Sequence, residues 1–191
     1  AFEQPVGDDP RKRHHVRFWR SDKLDEQGRP LWFGSATLDE RVGIARALTH
    51  LADSPADWLA HLDSDEFLNL APGTETMQDL IAKAEDAHVI ALPWRMFGDN
   101  GHATWPGETL CAFTACEAAP DPATVKFKSL FRHRAFASAS DHMPTQPRLE
   151  TPLAVNTAGE PLFSACLHDK PVARYRPIDV ALRGGTVVNH Y

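Results

Sequence analysis

Apolar and polar residues follow two rhythms along this 191-residue chain. Over residues 37–92 the rhythm is that of helices alternating with buried strands. Thr37 with Glu40 three positions later has the form of a helix start. Val42, Ile44, Ala45, Leu48 and Leu51 then recur at helical spacing, which predicts a first helix. Trp58 to Leu62 is a short apolar run that predicts a strand. Pro72-Gly73 marks a turn. Thr76 to Asp86 reads as a second amphipathic helix, with Met77, Leu80, Ile81 and Ala84 on one face. His88 to Leu92 predicts another buried strand. The order helix, strand, helix, strand implies a parallel α/β core with right-handed crossovers.

Beyond Pro93 the rhythm changes. Trp94 to His102 is aromatic, Gly-rich and polar at once. Val125 to Arg132 alternates apolar with basic or polar residues, which predicts a half-exposed strand. Residues 140–165 carry many prolines and polar residues and read as loop-rich. Val187 to Tyr191 predicts a final strand. Ahead of the helical region, Val16 to Trp19 predicts a short strand and Ser21 to Pro30 a polar loop. No internal repeat or low-complexity tract is visible.

Composition narrows the class. A chain of this length with 42% hydrophobic residues suits one domain with a real core, spanning residues 1–191 behind an irregular entry over 1–36. No apolar run is long enough to cross a bilayer. Ala1 to His15 is polar and charged, unlike a secretory leader. The net charge of -6 argues against a general nucleic-acid binder. The one basic cluster, Arg11 to His15, reads as a solvated tail. Cys111, Cys116 and Cys166 do not form a disulfide framework, and Cys111 with Cys116 lacks a second pair at zinc-site spacing. A reduced, cytoplasmic setting is expected.

The chemistry concentrates where the strand at Trp58 to Leu62 runs into Asp63, Asp65 and Glu66. Open α/β sheets place ligands at the carboxyl ends of their strands. On an extended chain residues i and i+2 point the same way, so Asp63 and Asp65 can converge on one oxygen-seeking cation. Closely held carboxylates repel one another unless a cation or donors are supplied. The plainer account is a set of helix caps or solvated loop charges. Glu66 could equally be a first-turn helix residue. Lys126 and Lys128 share one face of their strand, by default a solvated one. Trp94 and Trp105 could stack on sugar or base, or simply pack in the core. His61 either points away from Asp63 or is a satisfied core histidine, and His102 and His133 are read as surface residues.

Several patches together resemble the family 2-like glycosyltransferases of bacteria. Asp57 to Leu68 is similar to that family's D-W-V-L-F-L-D-A-D-E-F-L pattern. Trp94 to Gly98 followed by Gly101 resembles its W-R-x-F-G-x-x-G segment. Val125 to Arg132 resembles its V-K-T-L-F-R strand, His142-Met143-Pro144 its H-x-P, and Asn189-His190-Tyr191 its N-H-Y. The resemblance implies a GT-A fold, with a mainly parallel central sheet flanked by helices. The family's first strand and its base-holding segment have no counterpart here, so the chain reads as a piece of a longer protein.

The resemblance also implies a nucleotide-diphospho-sugar donor, a Mn²⁺ or Mg²⁺ ion, and a glycan or glycoconjugate acceptor. Asp63 and Asp65 become the metal and donor motif, with His142 and His190 as further metal or diphosphate contacts. Lys126 or Lys128 would neutralise phosphate, and Arg95 and Asp99 would sit at the acceptor side or sugar pocket. Asp99 and Glu108 are candidates to take the acceptor's proton, and Glu66 to orient the acceptor.

Competing readings differ in testable features. A haloacid-dehalogenase-like phosphatase would carry Thr or Val two residues after the second Asp, where this chain has Phe67. A sugar-nucleotide-making nucleotidyltransferase would need a Gly-rich phosphate loop near the start. A non-catalytic sugar-nucleotide or carbohydrate-binding domain fits the missing first strand. The expected function is metal-dependent sugar transfer.

Overall fold

The computed structural model describes residues 56–164 and 175–191, together with residues 2–3, 17–18 and Leu48. The helix predicted over Thr37 to Leu51 lies outside these residues except for Leu48, which is helical and packs partly buried against the core. The loop at Ser21 to Pro30 and the basic cluster at Arg11 to His15 lie outside them as well. Phe2–Glu3 (β1) pairs antiparallel with Arg17–Phe18 (β2), inside the strand predicted at Val16 to Trp19.

The remaining strands are Trp58–Ala60 (β3), Glu66–Asn69 (β4), Val89–Met96 (β5), Phe127–Arg132 (β6), Phe136–Ala139 (β7), Pro144–Pro147 (β8), Ala154–Val155 (β9), Pro161–Ser164 (β10), Tyr175–Arg176 (β11) and Val187–His190 (β12). β5 is the centre of an eight-stranded sheet. It pairs antiparallel with β6, and parallel with β9 along its first residues and with β12 along its last. β12 also pairs antiparallel with β4, and β6 with β3. β7 and β8 form a separate hairpin.

This architecture overturns the expected GT-A fold. Among the described residues 33% lie in strands and 11% in helices, and the mixed sheet curls into a half-barrel rather than lying between helical layers. The helix predicted over Thr76 to Asp86 is real but short. Thr76 caps it in a reciprocal box with Asp79, and it ends at Ala82. Glu85, with φ of 46°, turns the backbone into the left-handed region. Six residues cannot cover a sheet face, so other strands bury it.

β5 is apolar from Val89 to Trp94 because both its faces are covered there. Val89 and Ala91 pack with Phe127, Phe131, Phe136 and Tyr175 on one side. Ile90, Leu92 and Trp94 pack with Leu80, Leu130, Val155 and Val188 on the other. β6 shares this double burial. The half-exposed strand predicted there is corrected: Phe127 to Phe131 are all buried, Lys128 among them. The loop-rich reading of residues 140–165 missed β8, β9 and β10.

The chain enters β12 through a tight turn. Gly184 has φ of +100°, and a Cβ there would meet the Thr157 hydroxyl and stand 2.6 Å from the Ala158 nitrogen. Gly184→Ala is therefore expected to cost at least about 1–3 kcal/mol. A urea midpoint equal to the parent's would contradict this turn geometry.

Candidate functional site

The three acids fall in the turn between β3 and β4. Glu66 opens β4 and folds back over that turn. Its Oε2 accepts the Asp63 N–H at 2.8 Å, and the Glu66 N–H donates to the Asp63 carbonyl at 3.1 Å. Asp65 is tied to the end of the chain described here, because its carbonyl accepts the Tyr191 N–H at 3.1 Å.

Lys128 rises from β6 into this turn. Its ammonium is completely buried and lies 3.0 Å from Asp63 Oδ2, 3.2 Å from Glu66 Oε2 and 2.8 Å from the Asp141 carbonyl oxygen. All three of its N–H donors are thereby matched. The solvated face expected for Lys128 is corrected: its ammonium is buried against two carboxylates. Glu66 is not a first-turn helix residue either. It is a buried strand residue whose Oε1 has no partner.

β6 also fixes the loop that carries His142. Ser129 Oγ donates to the His142 carbonyl at 2.8 Å and shares a 2.7 Å hydrogen bond with the Tyr175 hydroxyl. His142 Nδ1 lies 2.9 Å from the Phe127 carbonyl. A carbonyl only accepts, so Nδ1 carries the proton and the Nε2 lone pair is left for a cation or a proton. That Nε2 is 3.5 Å from Asp141 Oδ2.

Two further imidazole–carboxylate pairs stand around Lys128. His61 Nε2 is 3.9 Å from Asp63 Oδ1, and His190 Nε2 is 3.9 Å from Asp65 Oδ2. These gaps are too long for direct hydrogen bonds. They suit two ligands of one ion or groups bridged by water. Trp94 binds the set together: its indole stacks on His190 at 4.3 Å and leans on His142 at 5.3 Å. The pairing pattern explains the convergence. Glu66, Trp94, Lys128 and His190 all lie on the same sheet face, Glu66 and Trp94 flanking β12 while Lys128 opposes Leu92.

The cluster leaves buried polar atoms unmatched: Glu66 Oε1, Trp94 Nε1, His61 Nδ1 and His190 Nδ1. Such groups are ordinarily satisfied by water or a ligand. Among the described residues no three His, Cys, Asp or Glu side chains converge on one ion position. A cation here would be held by one carboxylate–imidazole pair, with Asp65 and His190 the best placed, and completed by ligand oxygens and water. One carboxylate completed by ligand oxygens and water is a common way to hold Mg²⁺ and suits Mn²⁺, with the His190 imidazole an additional, softer donor.

The other predicted site residues lie elsewhere. Lys126 is exposed, with its Nζ 5.3 Å from the Trp94 ring centroid. Arg95 pairs in register with Asn189, and its Nε and the Asn189 Oδ1 are both buried without partners. Asp99 shapes an exposed turn by accepting the Gly101 N–H, and Glu108 is exposed in the following loop. His133 is not a surface residue: it is buried, with its Nε2 2.7 Å from the Ala56 carbonyl. His61 is not a satisfied core histidine, since its Nδ1 has no partner.

Burial, reinforced by the Lys128 charge, holds the His61 pKa below its ordinary value near 6.5. His88 is lowered too, by burial and by Arg132. As pH falls below about 6.5 the unfolded chain takes up protons that the folded one refuses, so stability is full above that pH and is lost on acidification. His61→Gln should flatten part of the decline in urea midpoint between roughly pH 7 and 5. An unchanged slope would mean His61 titrates normally in the fold.

Comparison with known proteins gives one limited result. The family described as LssY C-terminus matches residues 1–66, about a third of the chain, most of it ahead of the described sheet. No curated protein and no solved structure matches the chain. The kinship inferred from the motif patches is thereby corrected: the matching family is the LssY C-terminus and not a glycosyltransferase family.

Proposed function

We propose that this chain binds a nucleotide-diphospho-sugar through a divalent cation at the Asp63–Asp65 turn and transfers its sugar to a glycan or glycoconjugate acceptor. One observation carries the reading. Four buried polar atoms without partners surround a turn where carboxylates outnumber the one buried cation. A site that is acidic, imidazole-lined and unsatisfied favours a cation that brings its own anionic ligand.

A bound Mn²⁺ or Mg²⁺ supplies charge neutralisation for a departing diphosphate. The chain's residues do the rest. Lys128 holds Asp63 and Glu66 in place. Lys126 is exposed beside the Trp94 indole. Of the candidate acids Asp99, Glu108 and Glu66, Glu66 alone lies within the cluster, and its unpartnered Oε1 could orient an acceptor hydroxyl by accepting its hydrogen bond. The fixed Asp63–Lys128–Glu66 arrangement also favours a second reading, a non-catalytic sugar-nucleotide or carbohydrate-binding domain.

The test is a thermal-shift panel of UDP-, GDP-, CDP- and dTDP-sugars, each with Mn²⁺ and with EDTA. A ligand at a hundred times its dissociation constant adds about 2.7 kcal/mol, or roughly 5–10 °C for a domain of this size. A shift for one nucleotide that vanishes in EDTA is expected. No shift with any donor removes the reading. Release of free sugar or transfer to an acceptor separates the enzyme from the binding domain.

A further inference from the structure

A recess opens on the Trp94 side of the acid–imidazole cluster. It has a volume of about 230 Å³ and is walled by Trp94, Met96, Glu117, Asp121, Thr124 and Lys126. We propose that this recess binds one ring of a neutral saccharide, the acceptor in the transfer described above. The role as acceptor rests on that reading, whereas saccharide binding does not.

The walls are fixed before any ligand arrives. Glu117 is clamped to the end of β5, its Oε1 accepting the Met96 N–H at 2.9 Å while its own N–H donates to the Met96 carbonyl at 3.1 Å. Asp121 organises the turn on the other side. Its carboxylate accepts the Ala123 N–H at 2.9 Å and the Thr124 hydroxyl at 3.2 Å. The indole of Trp94 and the half-exposed thioether of Met96 supply apolar surface. Trp94 is only 7% exposed, and its Nε1–H has no partner.

Chemistry selects the occupant. Two carboxylates against one ammonium make the recess net negative, which repels phosphate and disfavours the donor's diphosphate. Carboxylates that accept, an ammonium and an indole that donate, and an apolar aromatic surface together suit a ring that carries hydroxyls and C–H faces. The volume is below the roughly 300–1,000 Å³ of drug-sized sites, the scale of a single sugar ring. Trp94 also stacks on His190, so an occupant would lie beside the proposed leaving group.

Saturation-transfer NMR with methyl glucoside, galactoside and mannoside, in EDTA and without nucleotide, tests this. At least one glycoside is expected to receive saturation. Glu117→Gln should weaken it about tenfold, and Thr124→Tyr, which plugs the recess, should abolish it. Both variants should keep the metal-dependent nucleotide-sugar shift. No saturation with any glycoside, or unchanged binding in both variants, overturns the proposal. Glycoside binding by a chain that fails the nucleotide panel leaves the saccharide site standing and removes its role as acceptor.

Discussion

Replacing Lys128 by Met is expected to cost about 3–5 kcal/mol of folding stability, which lowers the melting temperature by roughly 6–20 °C. The side chain has no solvent exposure and is the one ammonium matched to both Asp63 and Glu66. Glu66 is equally enclosed, so removing the cation strands a buried carboxylate against a low-dielectric core. Met keeps the length of the chain, and the loss reports charge rather than volume. Adding Glu66→Gln to Lys128→Met should restore much of the stability, because a neutral amide is cheaper to bury than an unpaired carboxylate. A single variant as stable as the parent, or a double variant less stable than the single one, would contradict the ion pair.

Asp65→Ala should do the opposite: leave stability within about 0.5 kcal/mol and abolish the metal-dependent stabilisation by nucleotide-sugar, a loss of about 2.7 kcal/mol at saturating ligand. Asp65 is half exposed and makes its one fold-holding bond through its carbonyl, which alanine retains. Asp63→Ala removes the same kind of group with a different result, since Lys128 then loses a partner and the fold weakens as well. Donor-dependent shifts that persist undiminished in Asp65→Ala would place the cation elsewhere.

Local structure was legible where neighbours in sequence decide it. The strand at Trp58, the helix start at Thr76, the strand after His88 and the last strand at Val187 all follow from spacing and turn chemistry. The architecture was not. A helix–strand order counts elements without weighing their length, and six helical residues cannot cover a sheet. Lys128 shows the same limit within the candidate site. Alternation in Val125 to Arg132 implies an outward lysine, but a strand covered on both faces has no outward side. A cation between phenylalanines on such a strand, with acids available elsewhere, was the signal for a buried pair. Asp63 and Asp65 stand together in the sequence, as do His61 with Asp63 and Asp141 with His142, whereas the pairing of His190 with Asp65 depends on register between β12 and β4. The motif patches pointed to a family that the comparison does not support, because short similar segments do not fix a common fold.

The placement of β12 has a kinetic consequence. This strand pairs with β4 and β5, both far upstream, and delivers His190 to the Trp94 ring and the Tyr191 N–H to the Asp65 carbonyl. Contacts of such large sequence separation close late. A chain emerging from the ribosome can assemble β3, β5 and β6, with Lys128 already neutralising Asp63, before β12 arrives with His190. The buried lysine pair is thus a product of early pairing, whereas the His190–Trp94 stack waits for the later strand.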